Sequence, residues 1–563
     1  MQWLVRIPLR DRTRLSATLY RPRNQRAASP ALLTLTPYVA QISHDAGVYF
    51  ASNGYPFLTI DVRGRGNSEG EFNANGNEAR DAHDVVEWVA GQPWCNGNVA
   101  MWGGSYSGYV QWGAASEFSP RLATIVPVAS PYRGVDSPAH ANIFAPYRVR
   151  WLNLLAGRTS QERIFADQSF WNRQFRYWFE SGTPFRNIDS LLGNASPIFQ
   201  EWLSHPARDD YWDSFNPTAE QYSRMSLPVL TITGIYDTNQ IGALKHYREH
   251  LRNASAEACA RHYLVIGPWD HGGTRTPKTK FGGIEIGPAG LLDLGELHLQ
   301  WYAWTMQGGP RPRFLQKRVA YYVMGAEKWR YVDSLEQATA RHEPLYLSAH
   351  DGDADAPGSG ALVAASGRGG PDQYIYDPAD VSLAELESSV DPHSLTDQRM
   401  ILAASGRQLI YHSALFTEDT DVTGFFRLCA WISIDQPDTD FRASLFEVCA
   451  DGSAIRLTMD CLRARYREGL REPRLIATTA PLRYDFELFT FVSRRLSKGA
   501  RLRLVIGPVN SIFHEKNYNS GGTVADESIK DARRVTVRIY HDELHPSVLY
   551  MPVGQPDDSP QRY

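Results

Sequence analysis

Residues 98–112 read NVAMWGGSYSGYVQW. An apolar run from Asn98 ends in Gly103 and Gly104, and a helix-like run starts at Tyr106. Ser105 stands at the join. Gly103 lies two residues before it and Gly108 three after it. Small residues at such positions let a strand turn sharply into a helix and lift a serine hydroxyl at the edge of a sheet. The common form of that elbow is G-x-S-x-G. Here the second residue after the serine is Ser107, small but not glycine. A turn that merely needs small residues to be made is the competing reading, and the surrounding chain has to decide.

Outward from the elbow, short apolar runs alternate with helical patterns. ALLTLTPY (31–38), YPFLTIDVRG (55–64) and LATIVPVAS (122–130) read as buried strands, and Ala82, Val85, Val86 and Val89 recur on one helical face. Such alternation predicts an α/β domain with a parallel sheet covered by helices. From 133 to 224 no strand-like run is seen, and the stretch is rich in aromatics, among them Trp151, Trp171, Trp178, Trp202 and Trp212. Strands resume with LPVLTITGIYD (227–237) and HYLVIGPWDHG (262–272), so the helical piece is inserted as a cap. After about 340, segments such as FFRLCAWISI, DFRASLFEV and ARLRLVIGP predict an all-β sandwich. The expected domains are therefore 1–132 with 225–340, the cap 133–224, and a β domain 341–563.

A chain of 563 residues is too long for one core. With 43% hydrophobic and 21% charged residues and a net charge of -4, it shows no basic footprint for nucleic acid. The arginine-rich LRARYREGLREPR (462–474), interrupted by Glu468 and Glu472, reads as a solvated strand and loop. Five widely spaced cysteines without a CxxC pair argue against a disulfide framework and a structural zinc. The opening MQWLVRIPLRDRTRL lacks an apolar core for a signal peptide, and no run approaches the roughly 20 apolar residues needed to span a bilayer. A cytoplasmic protein without membrane association is expected.

A serine hydroxyl needs a base to become a nucleophile. In α/β-hydrolase sheets the partners follow in the order serine, acid, histidine, each after a strand. Asp237 ends one resumed strand and His271 follows the other. Asp270 is the rival acid, but a neighbour in sequence cannot easily aim its carboxylate at the adjacent imidazole. An oxyanion would be met by the backbone N–H of Tyr106 and, from the end of ALLTLTPY, by the Tyr38 hydroxyl. DVRGRGNSEG (61–70) has its glycines spaced G-x-G-x-x-x-G, one residue too long for a dinucleotide fingerprint, and reads as a loop near the site. Asp81, His83 and Asp84 lie on a polar helix face and read as solvated or paired rather than as metal ligands. No metal or organic cofactor is called for.

LRDRTRLSATLYRP (9–22), IDVRGRGNSEGEF (60–72), DVVEWVAGQPWCNGNVAMWGGSYSGYVQW (84–112), GIYD (234–237), GPWDHG (267–272) and YHDELHPSVLYMPV (540–553) together resemble the cocaine esterase and X-prolyl dipeptidyl-peptidase group of serine hydrolases, the CocE/NonD family. The resemblance implies an α/β-hydrolase domain, a helical cap and a C-terminal jelly-roll domain of galactose-binding-like type. It places Ser105 in the family's G-x-S-Y-x-G elbow, Asp237 and His271 on its acid and base, and Tyr38 and the Tyr106 N–H on its oxyanion hole. It also implies a homodimer or higher assembly. Members that act on α-amino acid esters carry carboxylates just after the acid; here Thr238, Asn239 and Gln240 are neutral, so a free α-amino substrate is not expected. The aromatic cap suggests an apolar or aromatic acyl group, with Trp151, Trp171 and Trp269 as candidate pocket residues. The expected activity is cleavage of a small ester or amide through an acyl-enzyme on Ser105. The alternatives are an acylase, an acyltransferase, an X-prolyl dipeptidyl-peptidase-like enzyme, or a ligand-binding protein on a hydrolase scaffold.

Overall fold

A computed structural model describes residues 1–74, 76–349, 359–365 and 370–556. Its first sheet is built on the apolar runs read above: β1 (Gln2–Pro8), β2 (Arg14–Tyr20), β3 (Ser29–Thr36), β4 (Phe57–Asp61), β5 (Cys95–Gly104) and β6 (Leu122–Val128) precede the cap. A two-stranded hairpin of β7 (Ala139–His140) and β8 (Ile143–Phe144) lies within the cap, where the sequence shows no strand. After it come β9 (Val229–Tyr236), β10 (His262–Asp270), the small hairpin β11 (Lys280–Phe281) and β12 (Ile284–Glu285), then β13 (Val319–Val323) and β14 (Lys328–Val332). Ten of these strands form one sheet in the order β1-β2-β4-β3-β5-β6-β9-β10-β13-β14.

The inner strands are parallel and almost wholly buried, as continuous apolar runs require when both faces are covered. The expectation of a parallel sheet fails at the edges. β1 and β2 are antiparallel to each other, β2 is antiparallel to β4, and β14 is antiparallel to β13. The exposed residues of β1 are those of an edge strand with one wet face, which a search for buried runs passes over.

Before the cap, three helices flank the sheet, α1 (His44–Ser52), α2 (Glu78–Ala90) and α3 (Tyr106–Ser116), and after it Gln240–Asn253 and Leu294–Gln307 pack on it as well. Ala82, Val85, Val86 and Val89 of α2 are fully buried, the face its periodicity announces. On the same helix Asp81 holds Arg63 through two hydrogen bonds (2.5 and 2.8 Å), and Asp84 pairs with Arg10. These carboxylates are taken up by arginines.

In the cap, α4 (Tyr147–Leu154) leads into further short helices over residues 162–224 that pack Trp171, Trp178, Trp202 and Trp212 inside. The remaining strands, from Thr339–Ser348 to Val548–Gly554, form a β-rich C-terminal domain around Leu428, Ile432, Phe441, Leu445 and Ile539. Among the described residues no helix is long and apolar enough to cross a membrane.

The domains are joined by buried polar contacts that correct one expectation. LRARYREGLREPR is not a solvated segment throughout: the Arg463 side chain is 3% exposed, bound to both Asp440 oxygens (2.8 and 2.9 Å) and to Glu515 (2.8 Å). Arg463 also donates to the Asn142 carbonyl, and Glu515 accepts the Phe144 N–H, so this cluster grips the cap hairpin β7–β8. Charge spacing cannot reveal carboxylates that lie some 20 and 50 residues away in sequence. A second joint is reciprocal: Gln240 Nε2 donates to the Phe491 carbonyl (3.1 Å), and the Phe491 N–H donates to Gln240 Oε1 (2.6 Å).

Behind α3, Trp112 stacks on His246 with ring centroids 5.0 Å apart. His246 Nε2 donates to the Pro131 carbonyl (3.1 Å), which leaves Nδ1 to accept from the Tyr222 hydroxyl (2.7 Å). Burial pushes this imidazole down to about 3.

Two outcomes follow from these buried charges and the neutral histidine. Replacing Arg463 with Met strands Asp440 and Glu515 and is expected to cost about 3–5 kcal/mol, seen as an earlier urea midpoint. The same change at exposed Arg474 shifts it by no more than about 0.5 kcal/mol. Because the folded His246 titrates below its unfolded value near 6.5, its contribution is intact above neutrality and drains away as pH falls from about 6.5. Wild type is therefore expected to lose about 2 kcal/mol more than His246→Gln between pH 7 and pH 5, measured by urea unfolding at each pH.

Candidate active site

Ser105 joins β5 to α3 with φ 60° and ψ -123°, a backbone conformation that costs a non-glycine residue roughly 1–3 kcal/mol. The surroundings hold it there. Its N–H donates to the Val128 carbonyl at 2.9 Å, and its carbonyl receives the N–H groups of Gly108 and Tyr109. Gly103 is required twice over. Its φ is 135°, and a methyl group there would lie 2.7 Å from Ser107 Cβ and 2.9 Å from Thr34 Oγ1. A methyl on Gly108 would lie 2.6 Å from the Val128 carbonyl, so that glycine lets α3 settle on β6. Ser107, the departure from G-x-S-x-G, is accommodated because its hydroxyl donates to the Leu35 carbonyl at 2.7 Å. Ser105 Oγ itself engages no hydrogen-bond partner among the described residues.

At the same sheet edge, His271 Nδ1 donates to Asp237 Oδ1 at 2.7 Å. Asp237 is shielded from solvent while His271 is 27% exposed. The Asn239 N–H donates to Asp237 Oδ1 (3.0 Å) and the Thr233 hydroxyl to Oδ2 (2.7 Å). Burial alone would raise the Asp237 carboxyl; the charge on His271 and these hydrogen bonds outweigh it and hold it below the ordinary carboxylate range. The rival Asp270 instead accepts the Gly273 N–H at 2.6 Å and shapes the turn that carries His271. With Nδ1 engaged by Asp237, His271 Nε2 is the lone-pair nitrogen.

Tyr38 follows β3 in a loop that is tied down at every residue. Its N–H donates to Thr36 Oγ1, its carbonyl accepts from Ser160, and the preceding carbonyl of Pro37 accepts from Arg65. Its hydroxyl accepts from the Trp151 indole at 3.1 Å. An indole N–H can only donate, so the Tyr38 proton is turned toward another acceptor. Tyr106 is the first residue of α3, where a helix offers its N–H no carbonyl four residues earlier. Its ring stacks on Trp151, and its hydroxyl bonds Glu78.

Of the three tryptophans expected along the pocket, two take other places. Trp151 is 8% exposed and supports Tyr38 from α4. Trp171 is 1% exposed and donates to the Ile164 carbonyl inside the cap. Trp269, also 1% exposed, donates to the Gly290 carbonyl and packs under Gly267, at the irregularity in β10 that precedes His271. Trp171 and Trp269 are thus interior residues, because a large apolar ring gains more from a dry core than from a wet cleft.

Other residues come to the site unannounced. Tyr147, 41% exposed, packs edge-on against Phe165 and lies within electrostatic reach of Tyr38 and Arg275. Arg275 lies against Gly104. Arg65 is fully buried beneath the Tyr38 loop. The sequence hinted only at Arg65, through its glycine-flanked loop; nothing marks Arg275 or Tyr147 among the many arginines and tyrosines of the chain.

Comparison with known proteins supplies the family. The profile of the X-Pro dipeptidyl-peptidase (S15 family) matches residues 11–273, and that of the X-Pro dipeptidyl-peptidase C-terminal non-catalytic domain matches residues 314–549. Over 574 residues the chain is 28% identical to the cocaine esterase of Rhodococcus sp. (strain MB1 Bresler), covering 98% of each protein. An α-amino acid ester hydrolase shares the fold with a TM-score of 0.81 at 20% identity, over 98% of this chain and 96% of that one. A CocE/NonD family hydrolase from Staphylococcus aureus does so with 0.67 at 16% identity, over 98% and 93%. Both halves of the chain carry the signature of one family, and it belongs to the CocE/NonD, X-Pro dipeptidyl-peptidase-like serine hydrolases, which act on esters or peptides.

Proposed function

We propose that the protein cleaves a small carboxylic ester or amide through an acyl-enzyme on Ser105. The observation that carries this reading is the 2.7 Å hydrogen bond from His271 to buried Asp237, on the same sheet edge as a serine at positive φ. His271 Nε2 takes the proton from Ser105 Oγ as that oxygen bonds to the substrate carbonyl carbon. Asp237 holds the imidazole in the required tautomer and stabilises the imidazolium. The Tyr38 hydroxyl and the Tyr106 N–H meet the oxyanion, with Trp151 turning the Tyr38 proton toward it. The imidazolium then gives its proton to the departing alcohol or amine. Water, deprotonated by His271, releases the acid and restores Ser105.

An apolar or aromatic acyl group is supported by Tyr147 and Phe165, which bring accessible aromatic surface beside Tyr38. A free α-amino group is disfavoured. The positions after Asp237 hold no carboxylate, and two of them are engaged elsewhere: Asn239 in hydrogen bonds to Asp237 and Asp136, Gln240 in the joint to Phe491.

The mechanism sets three expectations, read on p-nitrophenyl phenylacetate and its anilide. Ser105→Ala loses about 10⁴-fold or more in kcat and is no longer labelled by a fluorophosphonate; wild-type turnover in that variant would refute the acyl-enzyme. Asp237→Asn, which leaves the imidazole in the wrong tautomer, lowers kcat by about 10³–10⁴. Tyr38→Phe removes a donor that acts on the oxyanion alone, so kcat falls by about 10²-fold with little change in KM.

A further inference from the structure

The loop after β10 carries a second functional candidate. Its backbone is a tightly bonded turn: the N–H of Thr274 donates to the Asp270 carbonyl (3.1 Å), those of Arg275 and Thr276 to the Gly272 carbonyl (3.1 and 3.2 Å). The Thr274 hydroxyl closes the turn on the His271 carbonyl at 2.7 Å. Arg275 is therefore fixed relative to His271, four residues before it. Its side chain runs across the elbow. A methyl group built on Gly104 would lie 2.8 Å from Arg275 Nη1 and 3.2 Å from its Cδ. Gly104 precedes Ser105 in the chain, so the guanidinium stands beside the proposed nucleophile.

Other arginines around the cleft are engaged. Arg148 donates to the carbonyls of Pro138 and Asp136, Arg150 to Phe165 and Gln168, and Arg158 to Ser68. Among the described residues, the Arg275 side chain makes no hydrogen bond and no ion pair. The two nearest acids in sequence are committed: Asp237 to His271, and Asp270 to the Gly273 N–H. An exposed guanidinium with all five donors unspent, held by a rigid turn against Gly104, fits a carboxylate in planar, two-point fashion.

We propose that Arg275 binds a carboxylate carried by the substrate, so that the enzyme's esters or amides are anionic, with a negative group next to the scissile carbonyl on the acyl or the leaving side. This rests on the Ser105 hydrolase reading above and sets its substrate class. The neutral residues after Asp237 agree with it, since a cationic substrate would meet Arg275 with no acid to offset it.

The test compares carboxylates with their uncharged amide isosteres. On the acyl side, the pair is the p-nitrophenyl esters of 4-carboxyphenylacetate and 4-carbamoylphenylacetate. On the leaving side, it is the butyryl esters of 3-hydroxyphenylacetate and 3-hydroxyphenylacetamide. In wild type, one pair favours the carboxylate by about tenfold or more in kcat/KM, the strength of a hydrogen bond to a charged group, and that pair identifies the side. Arg275→Met brings the ratio close to one, Arg275→Lys keeps part of it, and Arg275→Glu inverts it. Ratios near one in both wild-type pairs, or a preference that survives in a folded Arg275→Met protein, overturn the proposal while leaving the hydrolase reading standing. If wild type turns over neither neutral isostere nor carboxylate and Ser105 resists fluorophosphonate, the hydrolase reading fails first and this inference falls with it.

Discussion

The site depends on a buried guanidinium that meets carbonyls of the Tyr38 loop and of the cap. Arg65 donates to Pro37, just before Tyr38, and to the cap carbonyls of Leu155, Gly157 and Thr159. Among the described residues it makes no ion pair; burial lowers its basicity to about 10, with Asp61 opposing that shift at a distance. Removing such a charge from water costs several kcal/mol. Hydrogen bonds to a charged group return about 1.5–3 kcal/mol each. The two sums are of the same order, so the arrangement adds little net stability. What it does supply is position, because a fork of donors accepts few placements of its acceptors. Asp61 works from the same loop: it takes the Ala40 N–H at 2.6 Å, and burial raises its carboxyl to about 6. The Tyr38 loop is thereby held from both ends.

The same logic of one-way donors runs through the rest of the site. Thr233 and Asn239 donate to Asp237, which fixes the carboxylate before the imidazole reaches it. The Trp151 indole can only donate, so it orients Tyr38 as well as touching it. In the proposed mechanism Asp237, His271 and Tyr38 each have a neighbour that removes one of their choices. Preorganisation of this kind is the form of electrostatic stabilisation with no cost at the moment of reaction, and the strained backbone of Ser105 is the part of the structure that bears its energetic burden.

How much of this the sequence disclosed follows from the range of each interaction. The elbow was legible because its geometry is local: Gly103 and Ser105 sit within one turn, and their steric demands appear as residue size. The helix α2 was legible for the same reason, through Ala82, Val85, Val86 and Val89. Asp237 and His271 could be ordered by their place after apolar strands, although their hydrogen bond joins residues 34 apart in sequence. Ser107 was an anomaly in sequence and becomes ordinary once the Leu35 carbonyl is seen beside it. What stayed hidden was set by partners without sequence pattern. Arg463 looked solvated because Asp440 and Glu515 reach it from other strands and loops, and Arg275 looked like any surface arginine because its neighbour is a glycine that has no side chain to announce a contact.

The aromatic cap shows why composition misleads about substrate. Trp171 was expected to line a pocket, yet it is almost wholly buried and, like Trp202, serves the cap's own core. An aromatic ring with accessible surface near Tyr38 is that of Tyr147, which also carries a polar hydroxyl. The larger ring is drawn inward by the same hydrophobic gain that folds the cap, while a ring with a polar tip can afford the cleft. In the proposed reading, substrate preference falls to residues at the interface between packing and solvent: Tyr147 and Phe165 on the cap, and Arg275 on the histidine turn. A change of charge at such a position leaves the elbow and the His271–Asp237 pair untouched, so one scaffold can hold the same chemistry over differently charged substrates.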